Sequence, residues 1–450
     1  MFKRVLVANR GEIAVRVIRA LHELGVEAVA IYSTADADAL HVRMADHAVR
    51  VGPPTAAESY LRIPSVIAAA ETTGCEAVHP GYGFLAENPA FVEACVDNDL
   101  VFIGPPADVM ALMGDKISAK QAMRSADVPT VPGTEGATSL DDVRGVAAEV
   151  GFPLLLKATA GGGGKGMRLV TDAADLEDAY RTASNEAEAA FGDGTMYVEK
   201  ALVPARHVEI QVICDEHGNV LTLGERECSI QRRHQKLIEE SPSAALTDET
   251  REQMEAAAER ACRSVGYRNA GTFEFLLGPD GSFYFIELNA RLQVEHPVPE
   301  LCTGIDLVRE QLRVAAGEQL SVTGRAPRRG HAIEIRLNAE DPEHDFRPSP
   351  GRVARFQPAQ GPGVRVDTFV ESGSTVPPFY DSMIAKLIVW DTTRDAAIAR
   401  AERALRETVI DGVPTTRELA LTVLGSEPFR TGNYSTSTLD VLRGSDGALA

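Results

Sequence analysis

Along residues 286–296 polar and apolar side chains alternate without a break. Glu287, Asn289, Arg291, Gln293 and Glu295 fall on odd positions, and Leu288, Ala290, Leu292 and Val294 on even ones. Extended backbone would place every polar group on one face. An ordinary half-exposed strand also alternates, but its outer face usually carries Thr, Lys and Ser. A row of two carboxylates, an amide pair and a guanidinium marks a strand lining a site. At about 3.3 Å per residue the row spans roughly 26 Å, so it reaches one small ligand only if the chain bends.

Elsewhere the pattern predicts alternating strands and helices. Residues 4–9 read as an apolar strand, followed by a helix with Ile13, Val17, Ile18 and Leu21, a stop at Gly25 and a strand over 26–32. Further helices and strands fall at 64–72, 76–79, 89–97 and 100–103. This predicts an α/β, Rossmann-like first domain over 1–114 with a doubly wound parallel sheet. No GxGxxG follows the first strand, so a dinucleotide site is not supported. The turn at 79–84, containing Tyr82, sits at a strand's carboxyl end, where such sheets place ligands; a plain tight turn explains it equally well.

A second domain is expected over 115–325. Within it, residues 131–203 form a small inserted α+β unit, and 205–300 read as antiparallel strands with a helix at 247–265. A basic linker at 325–330 leads to a C-terminal α+β domain over 331–440.

Composition narrows the function classes. A net charge of −20 argues against a nucleic-acid surface, so an anionic ligand needs bases concentrated locally, as in Arg226, Arg232, Arg233, His234 and Lys236. No apolar run approaches the ~18 residues of a membrane helix, and the start lacks a small-residue cleavage site. The six cysteines form no CxxC pair, which fits reduced thiols in a cytoplasmic protein.

Two stretches then suggest chemistry. Lys157 precedes Gly161, Gly162, Gly163 and Gly164, with Lys165 and Gly166 following. Consecutive glycines free backbone N–H groups to wrap an anion, and a flexible linker would be longer and serine-rich. Residues 271–277 and 282–287 flank Gly278-Pro279-Asp280-Gly281, which predicts a hairpin with a four-residue loop. Pairing 277 with 282 sets 274 opposite 285, so Glu274 and Glu287 share a face one diagonal step apart, with Asn289 beyond. These hard oxygen ligands suit a divalent cation beside phosphates; an odd-length loop would separate them. Together the two stretches describe ATP chemistry by positioning and charge neutralisation.

The segments KxxxGGGGKGM, RHVEIQ, ERECSIQRRHQK, GTFEF, IELNARLQVEHPV and EIRLNAED resemble the biotin carboxylase family of the ATP-grasp superfamily, from the start of the chain to about residue 440. The resemblance implies an ATP-grasp domain with a mobile lid, and ATP- and bicarbonate-dependent carboxylation of biotin through carboxyphosphate. It implies that Lys116, Lys157, the flap glycines, Glu199, Lys200, Ala201, Leu202, His207, Gln231 and His234 bind ATP. Glu274, Glu287 and Asn289 would hold Mg²⁺ or Mn²⁺, with two ions expected. Lys236, Arg291, Gln293 and Val294 would hold bicarbonate, Glu295 would be the base, Arg336 would face the biotin enolate and Tyr82 would line the biotin side.

The chain ends without a Met-Lys-Met attachment segment, so biotin is expected on a separate carrier protein. A carboxyltransferase partner and a homodimer are expected as well. Ala290 and Pro299 stand where relatives often carry Thr, and Pro299 is expected to alter the turn that follows it. Other ATP-grasp ligases that activate bicarbonate or a carboxylate by acyl phosphate are the alternative. A nucleotide-sensing scaffold would need a broken metal set or a missing base, and all of these residues are present.

Overall fold

Five parallel strands begin the chain. In a computed structural model that describes residues 1–134, 139–159 and 167–444, they stand in the order His47–Gly52, Glu27–Ser33, Arg4–Val7, Ala77–His79 and Val101–Phe102. The central strands are apolar on both faces, as a parallel sheet covered by helices requires. Two adjacent strands, Arg4–Val7 and Ala77–His79, lie where the strand order reverses, the point at which such sheets bind ligands. The loop after the first carries Asn9 and Arg10 and leads into the helix Gly11–Glu23 with Glu12 in its first turn, and the loop after the other carries Tyr82. Asn9 Nδ2 ties the two together by donating to the carbonyls of Pro80 (2.7 Å) and Tyr82 (2.8 Å). Gly81, at φ +64°, leaves room for that amide, because a Cβ there would meet Asn9 Nδ2 at 3.0 Å.

The lid unit expected at 131–203 is a three-stranded antiparallel sheet of Met167–Val170, Leu154–Ala158 and Met196–Lys200, packed by Leu140–Val150 and Leu176–Phe191. It has its own core of Val143, Leu154, Leu156, Val170, Met196 and Val198. Lys200 N–H donates to the Pro132 carbonyl at 2.8 Å and closes the unit at one corner, next to which Phe285 N–H of the large sheet donates to the Pro129 carbonyl at 2.7 Å.

Most of the remaining chain is organised by one large sheet. Its strands run Phe283–Asn289, Asn269–Leu277, Arg206–Cys214, Val220–Arg232, Gln235–Ser241, His331–Asn338, Met383–Asp391 and Val364–Thr368, with Gly324–Arg325 beside Val220–Arg232. Neighbours along the main path are antiparallel. The expected linker at 325–330 does not interrupt it: Gln235–Ser241 pairs directly with His331–Asn338. Lys236 and Arg336 therefore stand on adjacent strands of one rigid element. No described helix is long and apolar enough to cross a membrane.

Several local expectations are corrected. The hairpin closes with Leu277 opposite Phe283, so its loop has five residues rather than four. The odd loop does not separate the carboxylates, because a bulge at Ile286 shifts the register back and sets Glu274 directly opposite Glu287, with Thr272 opposite Asn289. The polar row also stops being a strand at Asn289. The Ala290 N–H leaves the ladder for the Glu87 carboxylate (3.0 Å), and residues 294–296 turn into the helix Pro297–Thr303. Pro299 does not disturb that helix, since it lies in the first turn, where its missing N–H would have had no intrahelical partner.

The hairpin is fixed from beneath by Phe285, whose ring lies 6.2 Å from those of both Phe273 and Phe275 and is fully buried. Phe285→Ala is expected to lower stability by about 3–5 kcal/mol, read as a shift of the urea midpoint at unchanged slope.

Candidate active site

Where the first sheet, the lid unit and the large sheet meet there is a cavity of about 1410 Å³. Every site residue expected from the sequence lines it among the described residues; Gly161, Gly162, Gly163, Gly164 and Gly166 lie outside them.

At its centre Lys236 donates to three carboxylates: Glu209 Oε2 (2.6 Å), Glu274 Oε1 (3.1 Å) and Glu295 Oε1 (2.5 Å). Glu295 Oε2 accepts from Arg336 Nη2 at 2.9 Å. Burial alone would raise the Glu295 carboxyl, but Lys236, Arg336 and Arg226 outweigh it and hold the group well below the usual carboxylate range. Glu295 is thus an ionised carboxylate with a cation on each oxygen. Gln293, which alternation places beside it, bridges the same network: its Oε1 accepts from Arg226 Nη2 (2.7 Å) and its Nε2 donates to Glu274 Oε1 (2.8 Å).

Arg291 turns back along the bend. Its Nε donates to Glu87 Oε2 (2.7 Å) and its Nη2 to Asn289 Oδ1 (2.9 Å), while Asn289 Nδ2 donates to Glu274 Oε1 (2.8 Å). The Val294 carbonyl accepts from Lys386 Nζ at 2.8 Å, so this position is engaged through its backbone.

Glu274 and Glu287 face each other across the hairpin. Glu274 is held low against the effect of its own burial by Lys236 and His207, whose Nε2 lies 3.0 Å from Glu274 Oε2. Glu287, exposed toward the cavity, is pushed up by desolvation and by the Glu274 charge. Two hard carboxylates whose mutual repulsion a cation would relieve are a donor set that fits Mg²⁺ or Mn²⁺, and His207, Glu209 and Glu274 bring ligand atoms within 4.8 Å of one another.

On the lid side Lys157 pairs with Glu199 at 2.5 Å. Lys200 turns its side chain away, donating to the carbonyls of Gly151 (3.2 Å) and Phe152 (2.8 Å), and so offers the cavity mainly its backbone. Lys116 begins the helix Lys116–Ser125. Gln231 pairs with Lys236, and between them a two-residue turn holds Arg233 at φ 45° and His234 at φ 65°. These left-handed conformations lack glycine, and Asp345 braces them by accepting from Arg232 and Arg233. On the opposite wall the Tyr82 hydroxyl is hydrogen-bonded to Glu12, which also lies 3.2 Å from Lys386 Nζ.

Comparisons with known proteins agree with this geometry. Residues 1–110 match the family profile for the biotin carboxylase N-terminal domain, 115–323 that for the carbamoyl-phosphate synthase L chain ATP-binding domain, and 334–441 that for the biotin carboxylase C-terminal domain. The chain is 52% identical over 438 residues to a biotin carboxylase of Nostoc sp., covering 97% of this chain and 98% of that one. It is 49% identical over 449 residues to a biotin carboxylase of Pseudomonas aeruginosa, covering 99% and 100%. Among solved structures, the biotin carboxylase domain dimer of Hydrogenobacter thermophilus 2-oxoglutarate carboxylase, in complex with MgADP, ADP and bicarbonate, superposes with a TM-score of 0.91 at 46% identity, covering 99% of this chain and 98% of that one.

Several further residues hold the site, some marked in the sequence and some not. Glu87 fixes Arg291 from more than two hundred residues away, a partnership with no local signal. Lys120 also pairs with Glu199; it stands four residues after Lys116, on the same face of that helix, a spacing that marks it. Glu209 lies between His207 and Gln211 on one face of Arg206–Cys214, the same alternation that marked Glu287 and Asn289. Arg226, fully buried, divides its donors among Glu209, Gln211, Thr272 and Gln293. Arg226→Met would leave Glu209 short of charge in a dry site. A loss of about 3–5 kcal/mol is expected, measured by thermal and urea unfolding.

Proposed function

The chain belongs to the biotin carboxylase family, and we propose that it makes carboxybiotin from ATP, bicarbonate and biotin held on a carrier protein. The observation that carries this reading is the clamp on Glu295, with Lys236 at 2.5 Å and Arg336 at 2.9 Å, set in the same cavity as the Glu274/Glu287 pair.

Lys116, Lys157, His207, Gln231, His234 and the backbone of 199–202 receive ATP, joined by Lys120. The glycines at 161–164 and 166 are assigned to the same ligand from their sequence alone. Glu274 and Glu287, with Asn289 behind them, would hold Mg²⁺ or Mn²⁺, which supplies charge neutralisation on the phosphates when bound.

Bicarbonate is a poor nucleophile and needs a clamp and a base together. Lys236, Arg291, Gln293 and the Val294 backbone form the clamp, and Glu295 is the base. A carboxylate held so low is a weak base in the resting site. An anion entering beside Lys236 and Arg291 draws on the same cations, which raises the affinity of Glu295 for a proton when one must be taken. The deprotonated bicarbonate oxygen attacks the γ-phosphorus, ADP leaves, and carboxyphosphate remains in the clamp.

Arg336, on the strand next to Lys236, offers a fixed cation to the oxygen of the biotin enolate, with Tyr82 on the same side. A carrier protein is the partner that presents biotin to this reaction, a carboxyltransferase is the partner that consumes the carboxybiotin it makes, and a homodimer is the expected assembly. We place the protein in the cytoplasm, where its six buried, unpaired thiols stay reduced.

Arg336→Ala is expected to retain nucleotide binding by calorimetry while lowering biotin carboxylation by about 10²–10³-fold. Carboxylation at the unmodified rate would remove the role given to Arg336. Against another ATP-grasp ligase, the discriminating assay is ADP release with bicarbonate present. Addition of biotin should accelerate it, and turnover indifferent to biotin would sink the proposal.

A further inference from the structure

Behind Arg336 lies a carboxyl pair that the reaction above does not use. Glu239 on Gln235–Ser241 and Glu334 on His331–Asn338 are direct cross-strand partners, and both are completely buried. Directly opposite residues of an antiparallel pair share a face, with Cβ atoms about 4.5–5.5 Å apart. Glu239 Oε1 accepts from Arg336 Nε at 2.6 Å. Its Oε2 and both oxygens of Glu334 have no hydrogen-bond partner among the described residues.

The cations nearby are already engaged. Arg336 gives its Nη2 to Glu295. Lys386, which stands opposite Arg336 on Met383–Asp391, lies 3.2 Å from Glu12 Oε1 and 3.9 Å from Asp367 Oδ2 and donates to the Val294 carbonyl. Lys236 is divided among Glu209, Glu274 and Glu295. Tyr82, whose hydroxyl is bound to Glu12, and the buried Cys228 thiol complete the titratable surroundings. Two buried carboxylates facing each other without a cation of their own do not both ionise. Burial, working against Arg336, pushes Glu239 up to about 7, and burial with the neighbouring Glu239 charge pushes Glu334 well above the carboxylate range.

We propose that Glu239 and Glu334 share a single proton and act as a positioning pair that fixes the Arg336 guanidinium from behind without neutralising it. With Glu295, Glu239 and Glu334 all ionised, Arg336 would present little net positive potential to an enolate oxygen. The shared proton removes one of those charges and gives an orphaned carboxylate oxygen a donor. The functional half of this inference rests on the reading of Arg336 toward biotin; the proton itself does not.

The pair also has a stability signature. Unfolded glutamates lose their protons near pH ~4.3, whereas the folded pair keeps one to higher pH. The pair therefore binds more protons in the native than in the unfolded state above pH ~4.3, and its own contribution to stability falls as pH rises from there through neutrality.

The test is isotope-edited infrared difference spectroscopy on the full chain, titrated across neutrality. A protonated-carboxyl C=O band is expected at neutral pH in the native protein and is expected to vanish in Glu334→Gln. Its absence from the native protein, or its persistence in that variant, overturns the shared proton whether or not Arg336 meets biotin. Positioning is tested with Glu239→Gln, expected to lower biotin-dependent turnover about tenfold more than ATP hydrolysis without biotin; equal losses overturn that role. If Arg336→Ala keeps full carboxylation while the infrared band stands, the reading of Arg336 fails and the proton pair survives.

Discussion

Burying Lys236 among Glu209, Glu274 and Glu295 is the constraint on which the rest of the site depends. Taking charges out of water costs several kcal/mol per ion even after relaxation, and the attraction between them offsets this only with good geometry and every donor engaged. The ammonium has three donors, and each meets one carboxylate. Those carboxylates carry charges that Lys236 alone does not satisfy, so Arg226 serves Glu209 and Arg336 serves Glu295. Five strands and one bend must be held in fixed relation for this to close. That is why Val220–Arg232 is buried along all of its 13 residues, in a sheet whose antiparallel strands more often expose one face.

How much of this is legible in the sequence follows from the range of each interaction. The parallel sheet and the lid are visible because their periods are local: apolar runs capped by Gly25, and strands separated by one helix. The Glu274/Glu287 pair is visible for a partly wrong reason. The expected loop is one residue too short, and the bulge at Ile286 restores the face that the longer loop would have lost. A bulge has no signature in alternation, so sequence reasoning has no means of choosing between the two registers. The row beyond Asn289 fails differently. Its alternation persists, but the backbone that would make alternation meaningful ends where Glu87 captures the Ala290 N–H. Glu87, Lys386 and Glu239 act across folded distances and leave no spacing to read.

The bend solves the length problem posed by the row itself. An extended strand would have set Glu287 and Glu295 too far apart to serve one reaction. Turning after Asn289 brings Glu295 back over the large sheet, within reach of Lys236 and Arg336 together. The proposed phosphate and biotin sides thus meet on adjacent strands, Gln235–Ser241 and His331–Asn338, instead of across a flexible linker. A one-residue slip in that pairing would move Arg336 to the opposite face of the sheet, so register fidelity there is itself a requirement of the chemistry.

In the proposed reaction Glu295 then carries more than the role of a base. One oxygen is bound to Lys236, which also holds Glu274 of the proposed metal pair; the other is bound to Arg336, to which the proposed reaction gives the biotin side. A proton taken up by Glu295 weakens both contacts in the same event. Lys236 is left freer to hold a phosphate-bearing intermediate, and Arg336 loses one of the two carboxylates that screen it. The second of these, Glu239, stays in place against its buried partner Glu334 and keeps the guanidinium from swinging away as the first lets go. In the proposed reaction, proton transfer from bicarbonate and exposure of the cation that the enolate needs are in this way linked through a single carboxylate, without any moving part beyond a proton.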